Sequence, residues 1–400
     1  MSSIGDEIAI VGGGPGGLAA AIAAAQAGFR PIVFERAQRF DRVGGAVGIQ
    51  GNGLSVLDAL GLLDTFRQHI REVSTAVVES PPGRIISRVD FTEPGSPYSG
   101  FAVAMRADLQ SVLLRHALDA GVQIHFDRLC TGAQVSGNRT ILTFQDQATH
   151  SADLVIAADG VHSRVRDSLG FKLKRTVVGE AFLRAVAPIE HPDPSRYGEF
   201  WGTDGRRAGA FPLPGAQTYL FCSVPLGQWQ TIRERHLAEW LAGWQNFGPP
   251  ITTLMRSVDW NTAVYDELQD VRVETWHRGG IFLIGDAAHT MTPNLGQGAN
   301  SALVDALVLI NILSDARSRT VGIQEVGATY MRIRKKFVTR IQQSALMGGE
   351  MAAWTFAPLR YFRDSLFRTV SRVGSMRRAS LELASGYNPA ELEWIRSPRP

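Results

Sequence analysis

The chain has 400 residues, with 41 Lys and Arg against 38 Asp and Glu and a formal net charge of +3. Such a length holds two to three domains or one composite one, and 44% hydrophobic with 20% charged residues excludes wholesale disorder. The even charge balance gives no sign of a nucleic-acid binder, and two cysteines, Cys130 and Cys222, are too few for a disulfide framework or a cysteine-rich metal site.

In chain order, Glu7–Val11 reads as a short buried strand, Gly12-Gly-Gly-Pro-Gly-Gly17 as a turn, and Leu18–Gln26 as an Ala-rich helix capped by Gly28. Ile32-Val33-Phe34 is a second strand, so the opening is a βαβ unit. Leucines at 54, 57, 60 and 63 predict a helix over Asn52–Leu63, and Arg106–Ala120 returns to helical spacing after β-like alternation over Thr75–Phe91. Val122–Phe126, Thr140–Phe144 and Asp153–Ala157 read as strands. Glu180–Val224 is strand-rich with turn signals at Thr203-Asp-Gly205 and Pro212–Gly215, and predicts an antiparallel sheet with half of it facing water. Helix is expected over Ile232–Trp244 and Asn300–Ser314, an apolar strand over Gly280–Ile284, and mostly basic helix beyond about Ile323. Ala19–Gly28, the most apolar run on this reading, is shorter than the roughly 20 residues a bilayer needs, and Met1–Glu7 lacks the basic start of a signal peptide. A cytoplasmic protein without a transmembrane segment is expected.

The glycines carry the chemistry. In Gly12-x-Gly14-x-x-Gly17 the first glycine permits a tight turn, the second lets a pyrophosphate reach the backbone, and the third allows close helix–strand packing; Gly16 lies in the same turn. Glu35, 18 residues after Gly17, ends the next strand, where a carboxylate accepts from a ribose hydroxyl. Two further strands end in a small residue with an aspartate, at Ala158-Asp159-Gly160 and Gly285-Asp286. The second runs into Ala287-Ala-His-Thr-Met-Thr-Pro293-Asn-Leu-Gly296-Gln-Gly298-Ala299-Asn300, a loop that opens a helix whose amides can meet negative charge.

These three motifs, in this order, resemble the class A FAD-dependent aromatic monooxygenases, the salicylate and 4-hydroxybenzoate hydroxylases among them; the resemblance covers roughly residues 5–320. It implies an α/β fold: a Rossmann-like FAD-binding domain (1–75, 101–175 and 270–322), an inserted mainly antiparallel substrate domain (76–100 and 176–269) and a C-terminal helical segment (323–400). It further implies non-covalent FAD, NADH or NADPH as a transient co-substrate, and insertion of one atom of O2 into an aromatic or polycyclic small molecule through a flavin C4a-hydroperoxide. By the same resemblance Glu35 would hold the adenosine ribose and Gly45–Val47 would lie along the flavin edge. Arg106 would sit by the pyrophosphate. Asp159 would serve both nucleotides, and Asp286 the ribitol and pyrophosphate. Pro293 would flank the isoalloxazine, and Gly296, Gly298, Ala299 and Asn300 would cap its carbonyl side.

Other residues leave choices open. Arg36, Arg39 and Arg42 would attract a visiting cofactor's phosphates or form a solvated loop. His289, in Asp-Ala-Ala-His, and His162, in Asp-Gly-Val-His, are candidate bases, although such positions more often order the motif loop; His191 and His277 read as surface residues. Phe182, Phe200, Trp201, Phe211, Tyr219 and Phe221 line a pocket or fill a core. Arg184 and Arg206 would pair a substrate carboxylate or solvent. No metal site is expected, and the chain is a monomer or homodimer. Ala352–Arg378 mixes aromatics with arginines and would close the substrate mouth or lie on a membrane. Epoxidation, Baeyer–Villiger insertion and flavin-dependent reduction are the alternative activities, and a non-enzymatic flavin sensor the alternative outside catalysis.

Overall fold

A computed structural model describes residues 4–40, 45–80, 83–92 and 100–399. The chain opens with β1 (Glu7–Val11), α1 (Pro15–Gln26), β2 (Arg30–Phe34), β3 (Ala46–Gln50), α2 (Gly51–Ala59) and α3 (Leu63–Phe66). Next come β4 (Ile70–Glu72), β5 (Thr75–Ser80), β6 (Arg84–Asp90), β7 (Phe101–Met105) and α4 (Arg106–Asp119). β8 (Gln123–His125), β9 (Cys130–Ser136), β10 (Arg139–Phe144), β11 (Thr149–Ala152), β12 (Leu154–Ala157) and α5 (Arg164–Ser168) follow. Then come β13 (Leu173–Ala187), β14 (Arg196–Trp201), β15 (Arg207–Leu213), β16 (Gln217–Pro225), α6 (Trp229–Thr231), α7 (Leu237–Ala242) and α8 (Pro249–Ser257). β17 (Val264–Val273), β18 (His277–Arg278), β19 (Ile281–Leu283) and α9 (Asp286–His289) precede four long helices, α10 (Gly298–Arg319), α11 (Ile323–Ala352), α12 (Ala357–Arg372) and α13 (Gly374–Ser385).

The central sheet has the order β18-β19-β12-β1-β2-β8, parallel from β19 to β8. Parallel strands need both faces covered, and α1 with α10 covers one of them. Ala19, Ala20, Ala21, Ala23 and Ala24 of α1 are inaccessible. A Cβ on Gly16 would stand 3.0 Å from the Ala302 side chain, so small residues set how closely the two helices pack. The fold class is therefore mixed α/β, as the sequence implies.

A seven-stranded sheet, β17-β13-β16-β15-β14-β5-β6, draws strands from both β-rich stretches and contains one parallel pair, β14 with β5. Its side chains alternate. Ala181, Leu183, Ala208, Leu220 and Cys222 pack on Trp229, Trp244 and Trp260 of the helical side. Tyr197, Phe211, Tyr219 and Phe221 pack on the other side with Phe91, Phe101 and Val103. The expectation that half this sheet faces water is thus wrong: helices cover one face, and an apolar cluster shared with β7 lies along the other. Phe200 belongs to the helical side, and Trp201 meets the Phe367 ring of α12 edge-on at 5.2 Å.

Three local expectations also change. The helix over 52–63 breaks at Gly61, whose φ of +76° ends α2 before α3 begins. Residues 232–236 form a π-turn between α6 and α7. Among the described residues, one helix is long and apolar enough to cross a membrane, Gly298–Arg319, which polar residues punctuate so that it does not read as an apolar run; 83% of its apolar window is buried in the protein.

Candidate functional site

Strand order gathers the motifs. β19, β12, β1 and β2 are consecutive and parallel, so Gly285-Asp286, Asp159, the glycine turn and Glu35 stand side by side at one end of the sheet, where open α/β sheets hold ligands.

The glycine turn is built by contact. Gly12 has φ +103°, and a Cβ there would lie 2.4 Å from the Ala158 carbonyl oxygen; one on Gly17 would lie 2.0 Å from the Gly12 oxygen. Neither position admits another residue. Around Gly14 an added Cβ meets nothing within 4 Å, so the protein's own packing leaves that approach open. Gly14 is the N-cap of α1, with no side-chain cap and no acidic residue in the first turn, which leaves amide donors and the positive helix end facing the open space. Glu35 is buried and accepts from Gly13 N at 2.7 Å and Ala37 N at 2.8 Å. A carboxylate offers about four acceptor sites, so Glu35 pins the turn and keeps capacity for a hydroxyl.

Asp159 accepts from Arg164 N (2.8 Å) and Val165 N (3.2 Å) through Oδ2, while its buried Oδ1 has no partner. Burial pushes its carboxyl up against the opposing bonds from Ser163 and the backbone. Asp286 is exposed, yet the protein around it desolvates its carboxyl and raises it, with His289 and Arg106 pulling the other way. A group that is accessible and still desolvated faces a cleft. Arg106, exposed at the start of α4, and Arg184 on β13 act electrostatically on that same carboxyl. Arg166 of α5 donates to the carbonyls of Ala287 (3.2 Å) and Val161 (3.1 Å), tying the two aspartate loops together.

The 292–300 loop is locked from beneath. Asn300 donates to Gly48 O and Gly296 O at 2.9 Å and accepts from Gln50 N at 3.1 Å. Gln297 donates to Gln50 and to Ala384 O (3.0 Å) and accepts from Asn52 (3.0 Å). The Asn300 side chain is therefore spent on the β3 backbone, and what the loop offers a ligand is backbone at Gly296, Gly298 and Ala299, which are exposed or half-buried. Pro293 is half-buried at the loop's start, and Val47 is half-buried on β3.

His289, the candidate base, is 1% exposed, and its Nε2 lies 2.5 Å from Asp305. That geometry turns it into the protein and away from a substrate. His191 is buried, not on the surface, with Nδ1 against Asp193; His277 is half-buried against Gly327; His162 is exposed. Arg36 and Arg39 are exposed, and Arg42 lies outside the described residues. Arg184 pairs with Asp266, while Arg206 pairs with Asp204 and stands over the Trp244 and Phe247 rings on the helical side. Among the described residues no group of His, Cys, Asp and Glu has metal-site geometry. Both cysteines are free and buried.

Across the cleft stands a ladder of rings. Phe182 lies 4.9 Å from Phe221, Phe211 5.7 Å from Tyr219, and Tyr197 4.5 Å from Phe211 in a stack. Leu381 of α13 packs against this ladder. At its edge, buried Arg207 forks onto Glu180 (3.1 and 2.6 Å), reaches Asn294 Oδ1 at 2.9 Å and passes 3.6 Å from Glu199. Burial pushes the Glu199 carboxyl up, and Arg207 only partly offsets it. Sequence reading missed this cluster; the signal was the parity of Glu180 with Phe182 and of Arg207 with Phe211, which puts charge on a buried strand face.

An open anion cradle at a helix end, a buried unpartnered carboxylate oxygen and a cleft-facing aspartate fit a dinucleotide extended across these strand ends. The comparisons agree. The family model described as "FAD binding domain" matches residues 6–345. Aurachin C monooxygenase/isomerase of Stigmatella aurantiaca is 28% identical over 94% of this chain and 98% of its own length. A 2-heptyl-3-hydroxy-4(1H)-quinolone synthase of Mycobacteroides abscessus is 32% identical over 77% and 81%. Klebsiella pneumoniae HpxO, solved with FAD and uric acid, superposes with a TM-score of 0.82 at 24% identity, covering 94% of this chain and 96% of that one.

Proposed function

From the premise that this chain belongs to the FAD-binding-domain family of class A flavoprotein monooxygenases, we propose that it hydroxylates a fused or alkyl-bearing aromatic heterocycle. FAD is its cofactor, and aromatic or heterocyclic small molecules are its substrate class. When bound, FAD supplies the redox chemistry, taking electrons from NAD(P)H and delivering one oxygen atom of O2.

The observation that carries the reading is the meeting of four motif-bearing strand ends with the aromatic ladder across one cleft. Amides of the glycine turn and of α1 would hold the pyrophosphate, with Arg106 beside it. Glu35 would accept from the adenosine ribose, and Asp159 and Asp286 from hydroxyls along the flavin chain. Backbone amides at Gly298 and Ala299 would meet the flavin carbonyl edge, with Pro293 and Val47 flanking the ring. The ladder would clamp a flat substrate and exclude water, which lengthens the life of a reactive oxygen donor. In its ionised form Glu199, whose carboxyl burial raises, would accept a proton from the substrate, since deprotonation enriches a ring in electrons.

The heterocycle is favoured by the relatives named above, two of which are named for aurachin and quinolone chemistry. Discontinuous FAD-binding and substrate domains, a cytoplasmic location and a monomer or homodimer belong to the same reading. The test is to present quinolones, hydroxypyridines and phenols to the purified yellow protein and follow NAD(P)H consumption. A quinolone-type ring should stimulate it tenfold or more, roughly 1.4 kcal/mol of barrier, and stimulation by simple phenols alone would redirect the substrate assignment.

A further inference from the structure

We propose that the N-terminal half of α12 is a docking surface for an anionic phospholipid membrane. Phe356, Tyr361 and Phe362 are 65%, 65% and 60% exposed, and Leu359 is 43% exposed. Four large apolar side chains within seven residues are unusual on a water-facing helix. They are not misplaced core: Arg363 and Asp364 of the same helix, turned away from Tyr361 and Phe362, are both buried, with Asp364 also paired to Arg84 of β6 and Arg363 over the Trp201 ring. The orientation of α12 is therefore fixed from within, and its aromatic start is held outward.

Charge selects the occupant. Residues 352–378 carry six arginines against one aspartate, a net +5, more than the +3 of the whole chain. Arg372, Arg377 and Arg378 are exposed at and just beyond the end of α12, and Arg360 and Arg368 are half-buried on it. Aromatic side chains sit at the headgroup boundary while arginines meet anionic lipid, the pattern of an interfacial helix. A second copy of the chain is disfavoured as occupant, because a two-fold contact through this patch would bring its own arginines together.

Position adds a reason. α12 is anchored on the edge strand β6, and α13 reaches the 292–300 loop through Gln297 and Ala384. The helical pair thus spans from the substrate sheet to the flavin loop, with its aromatic tip outside. Membrane docking here would set the cleft beside the layer in which an alkyl-bearing heterocycle dissolves. That last step rests on the proposed function; the docking itself does not, and it is measured without substrate.

The experiment is co-sedimentation of the FAD-loaded protein with sucrose-loaded phosphatidylcholine vesicles, with and without roughly a quarter phosphatidylglycerol. The expected result is pelleting with the anionic vesicles only. Tyr361→Ser with Phe362→Ser should weaken it tenfold or more while the protein stays yellow, and Arg372→Gln with Arg378→Gln should weaken it severalfold. Absence of binding, binding that ignores lipid charge, or binding unchanged in the serine variant overturns the proposal. So does a wild-type dimer that the serine variant dissociates without any vesicle binding, which would assign the surface to a second copy.

Discussion

Asp305 accepts a hydrogen bond from Gly285 N at 2.9 Å and so holds the turn that aims Asp286 into the cleft. The same carboxylate meets His289 at 2.5 Å and Arg334 at 2.7 Å, and Arg334 continues to Glu391, which Asn388 also contacts at 2.7 Å. Residues from α9, α10, α11 and the chain's end thus converge under one motif. The C-terminal segment is thus part of the site's foundation.

Burial alone would raise the Asp305 carboxyl, but His289, Arg334 and the Gly285 amide overcome it and hold it at about 2. A depressed carboxyl gives stability that is present above its unfolded value, near 4, and lost as the pH falls toward 2. The contribution is roughly 2 kcal/mol. Urea unfolding at pH 5 and pH 3 should show wild type losing about half of it across that interval, the rest going as the pH falls through about 2. Asp305→Asn should lose about 3–5 kcal/mol at neutral pH, because buried Arg334 and His289 lose a charged partner and Arg334 keeps only Glu391, and show a flatter acid response. An unchanged acid slope in that variant would remove Asp305 as its source.

Asp286→Ala should loosen FAD at least tenfold, about 1.4 kcal/mol for one lost charge-assisted bond. Flavin released on dilution, read by its fluorescence, measures this. Retention equal to wild type would take Asp286 out of the cofactor site.

Glu35→Ala should weaken FAD retention and also cost the flavin-free protein about 1–3 kcal/mol, because two backbone donors lose their acceptor. Thermal unfolding of the flavin-free variant separates the two effects. A variant as stable as wild type without flavin would leave Glu35 with a ligand role alone.

Glu199 is held above the usual carboxyl range by burial, so its ionised form grows only as pH rises past that raised value. Activity should climb over the same interval in wild type. Glu199→Gln keeps the acceptor for Trp201 Nε1, 2.8 Å away, and should lower kcat while flattening that limb. A full-rate variant with an unchanged pH profile would exclude the proton-accepting role.

Much of the cofactor region was legible in the sequence, because its motifs are local. A glycine turn, a strand end and an aspartate lie within a few residues of one another, and strand order does the rest. The substrate side was legible only as composition. Alternation gave the rings, but not which face each strand turns to the cleft, so Phe200 was grouped with Phe211. Charged residues were harder still. Asp305 lies on a helix that reads as plain core, and nothing near it in the chain announces Arg334 or Glu391; contacts 29 and 57 residues apart leave no local pattern. His289 was ambiguous for the same reason, since its partner decides its role.

The activity proposed for this cleft is transfer of one atom of O2 to an aromatic heterocycle. The most direct measurement is mass spectrometry of the product formed from such a ring with NAD(P)H under isotopically labelled O2. One labelled oxygen per product molecule, with NAD(P)H consumed in equal amount, is the predicted result. Label entering from water, or product formed without O2, would contradict it.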